Sequence, residues 1–212
     1  MATQQASAKP SVDSPAQQPG HRERLIAAMA QSIEEKGYRH TVVGDVVRIA
    51  RTSRRSFYEQ FKDRDACFLA VFEDANSQAI AQIAAAVQPE RPWEEQVDAA
   101  LGAYLDVMVA RPRLWQSFAR ELPATGQEGA ARQRAAITRF AELLITLIES
   151  GRKAQPELGS QPLTMDLALI IVGGLRELVV SAGEQGRDLR ELRPVAAQTI
   201  KAILRATVFE PR

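Results

Sequence analysis

The stretch Thr41 to Lys62, TVVGDVVRIARTSRRSFYEQFK, decides how the rest of the chain is read. Val43, Val46, Val47 and Ala50 recur at helical spacing and predict a short helix over Val42 to Ala50 with one buried face. Arg51, Thr52 and Ser53 separate it from a second short helix, Arg54 to Phe61. Thr41 and Ser53 stand where each helix needs a side-chain oxygen for a free backbone N–H, so both are read as N-caps. Phe57 and Phe61 are one turn apart and anchor the second helix to a core, leaving Arg54, Arg55, Ser56, Tyr58 and Gln60 facing outward. A helix this short is unstable alone, so tertiary packing must hold it. A short, rigidly held helix with two arginines in its first turn is what a reader of the DNA major groove requires.

The charges agree. Arg48, Arg51, Arg54 and Arg55 lie in a stretch with no acid from Val46 to Tyr58. Residues 1–62 hold ten Lys/Arg against six Asp/Glu, whereas the remainder holds 17 against 20. A basic first third beside a mildly acidic remainder suits a polyanionic partner at that end. Arginine can bond O6 and N7 of guanine together, a pairing worth roughly 1–3 kcal/mol of discrimination, which makes Arg54 and Arg55 the candidate base readers. Thr41, Ser53, Ser56, Tyr58 and Lys62 can donate to phosphates, which fixes position and not sequence. Lys62 also precedes the next helix, whose N-terminal N–H groups are expected to support the same phosphate.

Outward from this stretch the periodicity stays helical, with no alternation of period two. His21 to Lys36 carries Leu25, Ile26, Met29 and Ile33 on one stripe and ends at Gly37, with Ile33 and Tyr38 placed for the apolar contact of a helix end. A long helix is expected from Asp63 to Val87, then Trp93 to Ala110, a helix opened by Pro112, a polar loop over 123–129, and Ala130 to Lys153. A loop over 154–162 precedes Leu163 to Gln185 and Pro194 to Phe209. The chain is thus expected to be all-α, with about nine helices. Its expected division is a Gln/Ala/Ser/Pro-rich disordered tail at 1–20, a helix-turn-helix domain at 21–66 and a helical bundle at 67–212.

With these residues in view, Arg22 to Val71 resembles the DNA-binding domain of the TetR family of transcription regulators. The resemblance lies in a Thr opening the second helix, a Ser capping the third, the pair Phe57-Tyr58, Phe61 followed by Lys62, and a long connecting helix. It implies DNA contacts at Thr41, Ser53, Arg54, Arg55, Ser56, Tyr58, Gln60 and Lys62. Two positions depart from the family. Arg51 stands where members usually have Gly; a left-handed turn there costs about 1 kcal/mol, which implies a slightly different turn geometry or, alternatively, an Arg51 that reaches a phosphate of its own. Val47 stands where members often have Ala, which implies a small repacking.

The second part carries the weaker signals. Leu163 to Val180 is apolar on more than one face, so it is expected to be covered on all sides, in part by another subunit. Gly173-Gly174 in its middle costs roughly 1 kcal/mol per glycine, which a close helix approach would offset. The resemblance implies a homodimer through the last two helices, near 163–185 and 194–209, and a palindromic DNA operator. It also places Trp93, Tyr104, Met108, Trp115, Phe118 and Phe140 on helices that enclose a ligand cavity, suited to a small hydrophobic or aromatic effector. Arg176 and Glu177 fit an interior pair or an interface pair equally well.

Several classes are excluded or disfavoured. Cys67 is the single cysteine and reads as a small core residue in a reducing, cytoplasmic setting. No apolar run of about 18 residues exists to span a membrane. His21 and His40 are the only histidines, and no phosphate loop, metal-ligand spacing or nucleophile elbow is present, so neither an enzyme nor a cofactor is expected. The leading reading is a ligand-responsive repressor. The alternative is an all-helical small-molecule-binding or scaffold protein whose helix-turn-helix no longer binds DNA.

Overall fold

A computed structural model of the chain describes residues 20–156 and 161–209. The expected tail, apart from Gly20, and part of the loop at 154–162 lie outside the described residues. The elements are α1 (His21–Lys36), α2 (Val43–Ile49), α3 (Arg54–Gln60), α4 (Arg64–Ala86), α5 (Trp93–Ala110), α6 (Pro112–Glu121), α7 (Gly126–Ala154), α8 (Met165–Glu184) and α9 (Arg193–Leu204). Short 3-10 turns lie at Tyr38–His40, Leu122–Thr125 and Leu189–Leu192, and a π-helical turn, Arg205–Phe209, continues α9. No strand occurs among the described residues, so the all-α expectation holds.

The first helices form where their caps and apolar stripes place them. Leu25, Met29 and Ile33 of α1 are fully buried. Gly37 takes φ 80°, a region L side chains avoid, and its N–H closes α1 on the Ile33 carbonyl at 2.8 Å. Tyr38 then tucks under α4, its ring stacked on Phe68 at 3.9 Å with the Arg64 guanidinium 4.3 Å from its face. Burial and the hydrogen bond to Asp65 both raise the Tyr38 phenol well above its ordinary value. Cys67 has no exposed surface, and burial pushes its thiol up to about 12.

One expected loop is largely helix. Residues 123–129 were expected as a polar loop, but the chain makes a 3-10 turn and then enters α7 at Gly126. Gly129 is a packing requirement and not a breaker. A Cβ there would run into the Leu122 carbonyl and the Thr125 hydroxyl.

The apolar residues group in three clusters. The first joins α1 to α4 and continues into Leu114, Phe118 and Leu122 beyond Pro112. A second gathers Trp93, Ile148, Ile171 and Leu204, and a third Leu101, Leu105, Met108 and Val179. Between them α4 to α8 enclose an open space. Polar ties bind α6 to the first cluster. The Tyr38 N–H donates to the Ser117 hydroxyl at 3.4 Å, the Leu114 N–H to Glu34 at 2.9 Å, and Arg39 pairs with Glu121 at 2.7 Å.

Candidate DNA-reading head and ligand cavity

The α2–turn–α3 unit holds its reading helix from beneath. Phe57 is fully buried and Phe61 nearly so, their ring centroids 5.7 Å apart. The Ser53 hydroxyl accepts the Ser56 N–H at 3.0 Å and lies 3.1 Å from the Ser56 hydroxyl, so Ser53 is the N-cap expected of it. Arg51 has φ 51°, the one non-glycine residue with positive φ among the described residues. The turn therefore keeps a glycine-like backbone at an arginine. With α3 pinned, Arg54, Arg55, Tyr58 and Gln60 are exposed, and Ser56 is half-buried. Arg55 pairs with Glu59 at 3.0 Å, but both side chains are largely exposed, so the pair is weak and easily exchanged for a stronger acceptor. Arg54 lies across α2 at Gly44, where a Cβ would come within 3.5 Å of its guanidinium.

Thr41 is placed differently from the expectation. It is fully buried, its hydroxyl donating to the Gly37 carbonyl at 3.0 Å and lying 3.0 Å from the Ser32 hydroxyl. It thus ties the α1 end to the turn and caps no free N–H of α2. The N-cap position of α2 is Val42, whose N–H donates to the Asp45 carboxylate at 2.9 Å. The Lys36 ammonium beside Asp45, and then that N–H, hold its carboxyl below the ordinary range.

Lys62 is exposed and sits 3.7 Å from Glu128 of α7. Asp63 caps the helix end beside it, its carboxylate accepting the Ala66 N–H at 2.7 Å. Glu128 in turn is held below its ordinary range by its hydrogen bond to Arg132 and by the Lys62 charge. Arg132 also pairs with Glu73 at 2.7 Å, which completes a chain of charges from the reading head to α4 and α7.

The open space among α4 to α8 is a cavity of about 390 Å³. Tyr104, Met108, Trp115, Phe118 and Phe140 all line it. Trp93 does not. Its ring stacks on Phe209 at 4.5 Å with Arg205 above it, closing the far end of the bundle. Sequence reasoning missed Phe72 and Asn76 of α4 and treated Arg176 of α8 only as half of a pair; all three line the cavity. Phe72 is a buried core residue as well. Phe118 belongs to both regions: its ring lies 5.5 Å from Phe68 and 5.2 Å from Phe72, and it forms part of the cavity wall. Asn76 is buried and donates to the Phe72 carbonyl at 2.6 Å.

The outer face of α8 and α9 is bare. Ile170 is 62% exposed, Val195 53% and Met165 37%. Among the described residues, and apart from the flanking residues and the backbone of α8 itself, no atom lies within 4 Å of where a Cβ would stand on Gly173 or Gly174. The close approach expected at these glycines is thus not made by the chain's own helices. Among the described residues no helix is long and apolar enough to cross a membrane, and no cluster of His, Cys, Asp and Glu could hold a metal ion.

Comparison with known proteins places these features. Residues 25–71 match the family model of bacterial regulatory proteins, tetR family. No curated protein sequence gives a match. Among solved structures, FadR from Bacillus subtilis, solved with stearoyl-CoA, superposes with a TM-score of 0.67 at 18% identity, covering 84% of this chain and 96% of that one. The fatty acid degradation regulator FadR from Bacillus halodurans gives 0.67 at 21% identity, with the same coverages of 84% and 96%. A TetR-family regulator from Pectobacterium atrosepticum gives 0.66 at 22%, covering 90% of this chain and 95% of that one.

Proposed function

We propose that this chain, a TetR-family transcriptional regulator, is a repressor that binds a palindromic operator as a homodimer and releases it when a small apolar effector enters the cavity. The observation that carries the DNA-binding assignment is the α3 surface: two exposed arginines in the first turn of a helix pinned by Phe57. In this reading Arg54 and Arg55 read base edges. Ser53, Ser56, Tyr58, Gln60, Lys62 and Arg51 position the head on phosphates. The working division is a reading domain at 21–66 and an effector and dimer domain at 67–212, acting in the cytoplasm on genomic DNA.

The bare α8–α9 face supports the dimer. Exposed Ile170 and Val195, with two glycines that admit a close neighbour, suit a second copy related by a twofold axis. The shared residues Phe72 and Phe118 support the switch. A ligand pressing on the cavity wall also presses on the core that carries α1 to α3, and it acts only by favouring a head separation that fits DNA less well.

The test is selection of bound sequences from random DNA, followed by mobility shifts on the selected site. Replacing Arg54 and Arg55 together by Ala lowers specific affinity by at least about a hundredfold, from two lost bidentate contacts, and leaves the dimer intact. Unchanged affinity would overturn the assignment of α3 as reader.

A further inference from the structure

Among the polar groups that line the cavity are Tyr104 of α5 and Arg176 of α8. The Tyr104 ring sits edge-on to Phe140 at 6.2 Å, and no described residue hydrogen-bonds its hydroxyl. Burial pushes the phenol up to about 12, and the Arg176 charge acts in the opposite sense. At neutral pH one is an O–H donor and the other a fixed cation. The one carboxylate beside Arg176 is Glu177, at 3.9 Å, and it is 75% exposed. That separation is at the outer limit of an ion pair, and water screens it. The guanidinium therefore keeps donors for another acceptor.

The rest of the lining sharpens what that acceptor is. Phe72, Leu101, Met108, Phe140 and Leu175 offer hydrocarbon. The charged lining is Arg120, Arg176 and Arg187 against Glu184 alone, an excess of positive charge in a protein whose net charge is +1. Asn76 gives one of its two amide N–H groups to the α4 backbone and is uncharged. A ligand with a neutral head leaves Arg176 without a strong partner, and a cationic head is repelled. A carboxylate can take two parallel N–H bonds from the guanidinium and a third from the phenol. Buried without those partners it would not enter at all.

We propose that the effector is an apolar carboxylate, its aliphatic or aromatic body in the cavity and its anionic head held by Arg176 and the Tyr104 hydroxyl. The inference rests on the cavity being the effector site. A space of about 390 Å³ lies within the range of small-molecule sites. It holds a compact body and not a large polar carrier group.

Titration calorimetry on the full chain with two matched pairs, decanoate against decanol and phenylbutyrate against phenylbutanol, separates the possibilities. The acid of at least one pair binds roughly tenfold or more tightly than its alcohol, the gain expected of a charge-assisted hydrogen bond. The preferring pair tells an aliphatic body from an aromatic one. R176M abolishes the preference, R176K keeps part of it, and Y104F weakens the acid a few-fold. R176Q serves in place of R176M if the latter does not fold. Equal binding of acid and alcohol, or a preference that survives R176M or R176Q, overturns the carboxylate assignment while leaving the cavity as the effector site. Failure of all four probes to bind, checked by the fluorescence of Trp115, overturns both.

Discussion

The reading head and the effector half are built on opposite packing plans. In the head and the start of α4 on which it packs, Leu25, Met29, Ile33, Val46, Phe57 and Phe68 are all fully buried in one cluster. In the effector half, Tyr104, Phe140, Leu144 and Leu175 are only partly covered because they face open space. A filled core is stiff, and a hollow one can take up volume and repack. The difference suits a molecule whose one end must hold a fixed shape against DNA while the other changes shape around a ligand. The two plans meet at Phe118 and Phe72, the residues shared by the head core and the cavity wall.

The largest expected effect tests this contrast directly. Phe57→Ala removes a ring surrounded on all sides and costs about 3–5 kcal/mol of unfolding free energy. Phe140→Ala removes a ring that already lacks neighbours on its cavity side and costs no more than about half as much. Denaturant unfolding of both variants measures the difference, and equal losses would mean that the wall is as tightly packed as the head.

Ile170→Glu probes the outer surface of the hollow half. A charge at this exposed position leaves the monomer folded, and in the proposed homodimer it meets its own copy across a twofold axis. The dimer dissociation constant rises by about a hundredfold, since two unpaired carboxylates are desolvated together. Analytical ultracentrifugation reads it, and an unchanged dimer would move the interface off α8.

Arg51→Gly acts on the head alone. Relief of the positive φ stabilises the fold by at most about 1 kcal/mol. If Arg51 also reaches a phosphate, operator affinity falls and the slope of log affinity against log salt drops by about one. A stabilised variant with unchanged salt slope makes Arg51 a turn residue only.

The smallest effect is electrostatic. The Asp45 carboxyl is held below its ordinary range, so its contribution is present above the unfolded-state pKa and is lost as pH falls through the lower folded value. Asp45→Asn removes that acid-side slope: the variant melts below the wild type at neutral pH and converges with it as the pH falls, as melting temperatures across the acid range will show.

The helices of the head were legible because each rests on local signals: a stripe at 3.6-residue spacing, Gly37 at the end of α1, and Ser53 at the start of α3. Thr41 defeated the same reasoning. A threonine before a helix satisfies either a free N–H or a distant partner, and Ser32, nine positions earlier on α1, decides between them. Gly129 was illegible for a related reason. Its neighbours, the Leu122 carbonyl and the Thr125 hydroxyl, turn a residue that reads as a breaker into one that close packing demands.

Periodicity, caps and the run of arginines were enough to determine that the chain is all-helical and that a cationic helix is presented near its start. These are properties of neighbours within a turn or two, which backbone geometry dictates. Tertiary structure alone decided that Thr41 turns inward, that Trp93 closes the far end of the bundle while five of the other aromatics share one cavity, and that Arg176 faces the same space as Tyr104. An aromatic on an amphipathic helix carries the same local signal whether it fills a core or lines a void. The distinction lies in what the opposite helix leaves unfilled, and that is set by residues far away in the chain.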